Sequence, residues 1–307
     1  MKVAVVGVGR MGQLHGRLLA KANGVSRLIV ADSDVDRAKA LAQELGAVAC
    51  APMDALESAD AAVIATPPET HTVLVRAAVD RGCPVLCEKP LAESLAAAVE
   101  LADYVDRSAV AVRLGFQRRF DDGYRAIRAA RVEGRLGRLH LMRLETTEPG
   151  RAPSPKTNLF RNTAIHDFDL VRWLSGQEVL SVYVDGGDRE RPVFDPALDP
   201  DTISASLRLS GGALAAVTVT RLSPNGYDAR AELVGSRDHI GSGWSESSWQ
   251  TRFADAYRCE LAAFLEMLRL GSDGAGATVR DGVEAQRIAE AARRSLNQGS
   301  PVRLDRS

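Results

Sequence analysis

The feature that most constrains this chain lies at its start. The apolar run Val3-Ala4-Val5-Val6 ends in Gly7-Val8-Gly9-Arg10-Met11-Gly12, and helical periodicity takes over at once. A strand that passes into a helix through glycines at this spacing needs three things of its backbone. The first glycine makes a tight turn, the second leaves the main chain bare, and the third lets helix and strand pack closely. The alternation then repeats, with apolar runs at 28–31, 61–65, 85–87 and 109–114. Amphipathic stretches at 11–22, 34–45, 70–81 and 95–107 separate them, the last with Ser94 as its N-cap. Apolar strands separated by helices of this length imply right-handed crossovers and a parallel sheet. An α/β fold follows, its N-terminal part a doubly wound Rossmann sheet.

Beyond residue 118 the pattern changes. A helix near 123–133 leads to a strand at 139–146 and then to a Pro- and Gly-rich loop through Pro155. A helix at 166–174 stops at Gly176, where a left-handed cap suits glycine. Alternating runs at 179–184, 202–209, 213–220 and 229–234 predict a mostly antiparallel sheet with one covered face, the middle pair joined by Gly211-Gly212. The stretch 188–201 reads as a surface loop, and helices at 254–270 and 279–297 close the chain. The expected division is therefore 1–118, a dinucleotide-binding Rossmann domain, and 119–307, an α+β domain for substrate binding and oligomerisation.

Composition excludes several classes of partner. Lys and Arg total 39 against 40 Asp and Glu, so no net field favours nucleic acid or an anionic membrane. No apolar run has the length of a membrane span, and the start runs straight into a strand without a leader pattern. The cysteines Cys50, Cys83, Cys87 and Cys259 lack metal-ligand spacing, as do the five histidines. Cys83 and Cys87 flank a predicted buried strand, where reduced core thiols are expected. These readings place the chain in the cytoplasm, with no metal and no nucleic-acid or membrane partner.

The glycine loop points to a dinucleotide. Gly7, Gly9, Arg10, Met11 and Gly12 would form its pyrophosphate cradle, with the helix N-terminus supplying amides and a positive dipole end. Asp32 ends the second strand twenty residues after Gly12, where a carboxylate accepts the adenosine ribose hydroxyls. That carboxylate repels the 2′-phosphate of NADP. Its neighbours Ser33 and Asp34 bring no cation, and Arg10 and Arg37 are the nearby charges that would offset it. NAD is the expected cofactor, ahead of NADP.

Three further segments carry a family signature: Ala65-Thr66-Pro67-Pro68-Glu69-Thr70-His71, Glu88-Lys89-Pro90 and Ile165-His166-Asp167-Phe168-Asp169. Gly115-Phe116-Gln117-Arg118-Arg119-Phe120-Asp121 and Gly226-Tyr227-Asp228-Ala229-Arg230 extend it over nearly the whole chain. Together with the glycine loop they resemble the glucose–fructose oxidoreductase and inositol dehydrogenase family (Gfo/Idh/MocA), most closely its inositol dehydrogenase branch. The resemblance implies NAD(H)-dependent interconversion of a secondary alcohol and a ketone on a polyol, cyclitol or sugar. It implies that Lys89 reaches the reacting oxygen, at a central strand end where doubly wound sheets hold their ligands. His166 becomes the general acid/base, and Asp169, one helical turn later, a substrate-hydroxyl contact. Glu88, Thr66, Pro67, Pro68, His71 and Gln117 are expected to line the cofactor. Arg118 or Arg119, Asn158 and Tyr227 are expected to meet substrate hydroxyls, and a homodimer or homotetramer is implied by analogy.

The chain departs from the family pattern in two places. Asn162 stands where relatives carry an aspartate four residues before the histidine, a position that puts Asn162 in both the catalytic and the substrate-binding sets. An amide there orients the ring without adding charge. Thr157-Asn158-Leu159 replaces a frequent Gly-Gly pair, which reshapes the substrate pocket. Asn162 keeps two alternatives open: a keto-sugar or imine reductase in a biosynthetic pathway, and a non-catalytic NAD- or sugar-sensing protein.

Overall fold

The computed structural model describes residues 1–149, 158–189, 199–271 and 275–304. Most of the expected loops at 188–201 and through Pro155 lie outside the described residues. The chain begins with β1 (Lys2–Val6), α1 (Arg10–Leu19), β2 (Arg27–Ala31), α2 (Val35–Leu45), β3 (Val48–Cys50) and α3 (Pro52–Ser58). It continues through β4 (Ala61–Ile64), α4 (Pro68–Asp80), β5 (Val85–Glu88), α5 (Leu95–Asp106) and β6 (Val112–Gly115). A 3-10 turn, Gln117–Phe120, precedes α6 (Asp122–Val132) and β7 (Leu139–Pro149). A π-helical segment, Phe160–Ala164, runs directly into α7 (Ile165–Ser175). Then come β8 (Val179–Gly187), β9 (Thr202–Leu209), β10 (Leu214–Ser223), β11 (Tyr227–Gly235) and β12 (His239–Glu246). The last elements are α8 (Trp249–Arg252), α9 (Ala254–Leu270), β13 (Ala277–Thr278), α10 (Val279–Gln298) and β14 (Val302–Arg303).

Two compact units result. The first takes Met1–Phe116 and Tyr257–Val283, the second Gln117–Ala256 and Glu284–Ser307. The sequence reading places one boundary after residue 118. The chain instead changes unit two residues earlier, and a later segment returns to the first unit. The reason is apolar: Leu261, Phe264, Leu265 and Met267 of α9 share a core with Val3, Val5, Val30, Val63 and Leu86. A parallel sheet must be covered on both faces, and the crossover helices alone do not complete that cover.

In the first unit the strand order is β13-β6-β5-β4-β1-β2-β3, parallel except for β13 on β6. The predicted strands are all present, and Ser94 caps α5 through its hydroxyl. The sequence reading lacks β3 and α3. β3 is a three-residue edge strand of half-exposed residues, too short to announce itself by pattern and held by its pairing with β2.

The second unit holds the other sheet, in the order β12-β11-β7-β10-β9-β8-β14. Its pairings are antiparallel except β7 with β10. Along β9, Ile203, Ala205, Leu207 and Leu209 are buried while Ser204, Ser206 and Arg208 face outward, as alternation predicts. The unpredicted β12 reads His239-Ile240-Gly241-Ser242-Gly243-Trp244-Ser245-Glu246, with no apolar alternation, and forms because it completes the ladder of β11. On the covered face α7 packs against β7, β10 and α6. Residues 165–171 are all buried, the mark of a core helix, and Gly176 ends α7 in the left-handed region at φ 62°. Among the described residues no helix is long and apolar enough to cross a membrane.

If α9 belongs to the first unit's core, Phe264→Ala should destabilise that unit by about 3–5 kcal/mol. Urea unfolding followed at the dinucleotide-binding unit measures this, and a loss below about 1 kcal/mol would show that α9 only borders that core.

Candidate active site

The glycine loop has the geometry its spacing demands. Gly7 adopts φ +89°, and a Cβ there would lie 2.7 Å from the Thr66 amide nitrogen. A Cβ on Gly12 would lie 1.7 Å from the Gly7 carbonyl oxygen, whereas one on Gly9 would meet nothing within 4 Å. Gly9 is the N-cap of α1 and no side chain caps that end. Bare backbone, open space and an uncapped helix N-terminus fit a dinucleotide pyrophosphate. Arg10 and Met11 open α1, exposed and half-buried respectively. Asp32 is half-buried; its Oδ2 accepts from the Val8 amide at 2.7 Å and its Oδ1 from Asp34 N–H at 2.9 Å. The Ser33 hydroxyl donates to the same Oδ1 at 3.4 Å. A carboxylate has about four acceptor positions, so Asp32 pins the loop and keeps capacity for ribose hydroxyls.

At the end of β5, Glu88 is buried and Lys89 half-buried. The Glu88 carboxylate accepts from His15 Nε2 at 2.8 Å and from the Lys89 main-chain N–H at 3.3 Å. Burial acts to raise its pKa, but the His15 hydrogen bond and the His15 and Lys89 charges outweigh this and hold it below the usual range. A Cβ on Gly115 of β6 would stand 3.2 Å from that carboxyl group, so glycine leaves it room. Glu88 therefore faces inward, behind the position expected of it.

His71 also differs from expectation. Its ring is wholly buried, with Nδ1 2.9 Å from the Pro90 carbonyl and Nε2 2.9 Å from the Thr66 carbonyl. Burial pushes its pKa below the ordinary value, opposed by the two carbonyls. A neutral ring has one N–H, so it donates to one of these two carbonyls while lying between the Thr66-Pro67-Pro68 and Glu88-Lys89-Pro90 turns. Thr66 accepts from the Thr70 hydroxyl at 2.7 Å, and Pro67 and Pro68 form the entry to α4.

In the second unit His166 lies on the first turn of α7 and is 8% exposed. Asn162 is half-buried in the preceding π-helical segment, its N–H donating to the Asn158 carbonyl at 2.7 Å. Such segments recur at functional sites. The Asn158 side-chain oxygen, expected at a substrate hydroxyl, accepts from Arg161 N–H at 3.1 Å and so caps this segment. Leu159 N–H donates to Asp199 at 2.6 Å, and Asp199 is paired with Arg221.

Three more expected substrate contacts are turned inward. Arg118 is 2% exposed; it donates to Asp167 at 2.7 Å, Thr146 at 3.1 Å and the Tyr227 hydroxyl at 2.8 Å. Burial acts to lower the Arg118 pKa, but the Asp167 charge and the hydrogen bond to Tyr227 outweigh it and hold the guanidinium protonated. Burial pushes the Tyr227 phenol up to about 12. Arg119 holds both oxygens of Asp169, at 2.9 and 2.5 Å, with both side chains buried. These are frame contacts, because removing one partner of a buried ion pair strands the other charge. Gln117 is buried in the first position of the 3-10 turn. The sequence pattern gives no role to His15, Thr146, Asp167 and Asp199. Two of them carry a signal: Asp167 lies inside the family segment 165–169, and His15 one helical turn after Gly12.

Comparison with known proteins agrees with this geometry. The family described as "Oxidoreductase family, NAD-binding Rossmann fold" matches residues 1–116, and "GFO/IDH/MocA C-terminal domain" matches residues 124–240. The chain is 38% identical to myo-inositol dehydrogenase Hyg17 of Streptomyces leeuwenhoekii, over 98% of each chain. It is similar to the solved scyllo-inositol dehydrogenase of Lactobacillus casei with bound NAD(H) and scyllo-inositol, at 25% identity, a TM-score of 0.91 and 99% coverage of both chains. The myo-inositol dehydrogenase of Lactobacillus casei in complex with NAD(H) and myo-inositol matches at 25% identity and a TM-score of 0.91, over 100% of this chain and 97% of that one. Uninterrupted similarity across both units, with an NAD-binding first unit, establishes that this chain belongs to the Gfo/Idh/MocA family of oxidoreductases.

Proposed function

We propose that the chain is an NAD-dependent inositol dehydrogenase, oxidising one secondary alcohol of a cyclitol to the ketone, and reversibly so. The observation that carries this is the full-length similarity to inositol dehydrogenases, two of them solved with NAD(H) and an inositol. The open glycine loop and the Asp32 carboxylate support NAD as the partner.

NAD supplies the hydride acceptor when bound. In this reading His166 takes the hydroxyl proton of the reacting alcohol as its carbon gives up hydride, since imidazole exchanges protons near neutral pH. The Lys89 ammonium hydrogen-bonds the same oxygen and stabilises the charge that develops there. Asn162 orients His166 without charge. Arg118 and Asp169 hold the frame around His166, so recognition of the ring hydroxyls falls to other groups.

The family resemblance also suggests a homodimer or homotetramer. The outward face of the second sheet, where Tyr183 and Leu214 are 41% and 44% exposed, is the surface we assign to it. Sedimentation equilibrium should give a mass at least twice that of one chain, and Leu214→Lys should lower it; a monomer at all concentrations would rule the assignment out.

Lys89→Ala should lower kcat for myo- or scyllo-inositol by about 10²–10⁴-fold while the NAD Kd changes by less than about threefold. Near-normal turnover in the variant would remove Lys89 from the chemistry. NAD binding by the unaltered protein with no oxidation of any inositol would favour the sensor reading instead.

Asn162→Asp tests the departure from the family pattern. A carboxylate behind His166 favours imidazolium, so the rising limb of the pH–rate profile for inositol oxidation should move to higher pH. On the plateau above it kcat should increase. A raised KM with an unmoved limb would instead assign Asn162 to holding substrate.

A further inference from the structure

The tip of β2 carries two carboxylates, Asp32 and Asp34, with a serine between them. Asp32 turns toward the glycine loop through its bond with the Val8 amide, whereas Asp34 turns to α2. The Asp34 side chain is the N-cap of that helix: its Oδ1 accepts from the Arg37 main-chain N–H at 3.0 Å, and its own N–H donates to Asp32 Oδ1 at 2.9 Å. Its Oδ2 lies 3.3 Å from Arg37 Nη2, an ion pair across the first turn of the helix. Capping does not require the charge. Ser94 caps α5 and Ser248 caps α8 in this same chain, each through a hydroxyl. What an aspartate adds at position 34 is a full negative charge and a hold on Arg37.

Both side chains of the pair are about half exposed, Arg37 at 53% and Asp34 at 48%, so a ligand at this tip can reach them. Asp32 is the position that receives the adenosine ribose. A phosphate on the 2′-oxygen of that ribose would bring its charge to the start of α2, where it needs a cation and a main-chain donor. Arg37 has both, and Asp34 occupies both. We propose that Asp34 is a specificity-determining residue for NAD(H) over NADP(H): by holding Arg37, side chain and N–H together, it withholds from the 2′-phosphate the group that would bind it. Asp32 repels the phosphate by its own charge, and Asp34 removes the compensation. Exchanging Asp32 alone therefore leaves Arg37 bound. The inference rests on NAD(H) binding at the glycine loop.

The test needs binding and no turnover. NADH and NADPH are titrated into the full chain, with nicotinamide fluorescence as the signal. Asp34→Asn keeps the shape of the side chain and a capping oxygen and removes the charge. Its NADPH Kd should fall at least about threefold while the NADH Kd moves by less than about twofold, a shift of the size that an exposed pair supports. Arg37→Ala alone should leave the NADPH Kd within about twofold, because the arginine is already held. Combined with Asp34→Asn, the same change should take the NADPH gain back. Asp32→Ser/Asp34→Asn should bind NADPH at least about threefold more tightly than Asp32→Ser. An unmoved NADPH Kd in Asp34→Asn overturns the proposal, as does an equal gain for NADH. So does a gain that survives the loss of Arg37, or NADPH binding that weakens with Arg37→Ala alone, which would show the arginine to be available from the start. Should Asp34→Asn fail to fold, Asp34→Ser, the cap this chain uses at α5 and α8, takes its place with the same expectations. Binding of neither nucleotide by the unaltered protein would overturn the cofactor assignment and this inference with it, whereas NADH binding with an unmoved NADPH Kd in the variants overturns the inference alone.

Discussion

The first unit is organised around a contact that only hydrogen permits: α1 presses Gly12 against the Gly7 carbonyl, where any Cβ would be 1.7 Å from the oxygen. Two consequences run in opposite directions along α1. Toward its start, the close approach leaves amides bare, with Val8 N–H pinned by Asp32 across the tip of β2. Toward its middle, it lowers the helix onto the sheet. β4 lies between β1 and β5, yet His15 spans that distance and reaches the carboxylate at the end of β5. The dinucleotide loop and the lysine turn are thus two ends of one packing decision. Substituting either glycine would shift both, which is why loop glycines of this kind tolerate so little.

The second unit depends on buried charge. Consecutive arginines on a short 3-10 turn pair with two carboxylates on α7, Arg118 with Asp167 and Arg119 with Asp169. Burying such pairs is unfavourable unless the remaining hydrogen-bonding positions are filled. Here Thr146 of β7 donates to Asp167, and the Tyr227 hydroxyl of β11 accepts from Arg118. The pairs stand on either side of Phe168 and fix the rotation of α7 about its axis. That rotation sets the direction of His166, and the π-helical segment just before it sets where Asn162 lies. The proton-transfer role proposed for His166, on a helix buried all round, needs such a frame, because apolar packing alone leaves the helix's rotation weakly specified.

The two units differ in what burial does to a charged group. At Glu88 the opposing His15 and Lys89 outweigh desolvation and the carboxyl stays ionised. At His71 desolvation wins over two carbonyls, so the ring is held neutral and donates its one N–H to one of them. The histidines of this chain are therefore distinguished by surroundings more than by sequence context, and only His166 sits on a helix start of the second unit.

By itself the sequence determined the parallel sheet, the glycine turn, the helix start at Ser94 and the helix stop at Gly176, and the alternation of the second sheet. These follow from the periods of strands and helices and from the backbone freedom of glycine, which are local properties. Tertiary structure decided what no local pattern encodes. The edge strands β3 and β12 exist through pairing partners distant in the chain, and α9 returns to the first unit because an uncovered sheet face there needs apolar cover. The largest differences concern polar residues: Arg118, Asp169, Asn158 and His71 all carry side chains suited to a ligand, and all are committed to the protein's own groups. A sequence names the hydrogen-bonding capacity of a side chain, but which partner fills it depends on distances of about 3 Å that only the folded chain sets.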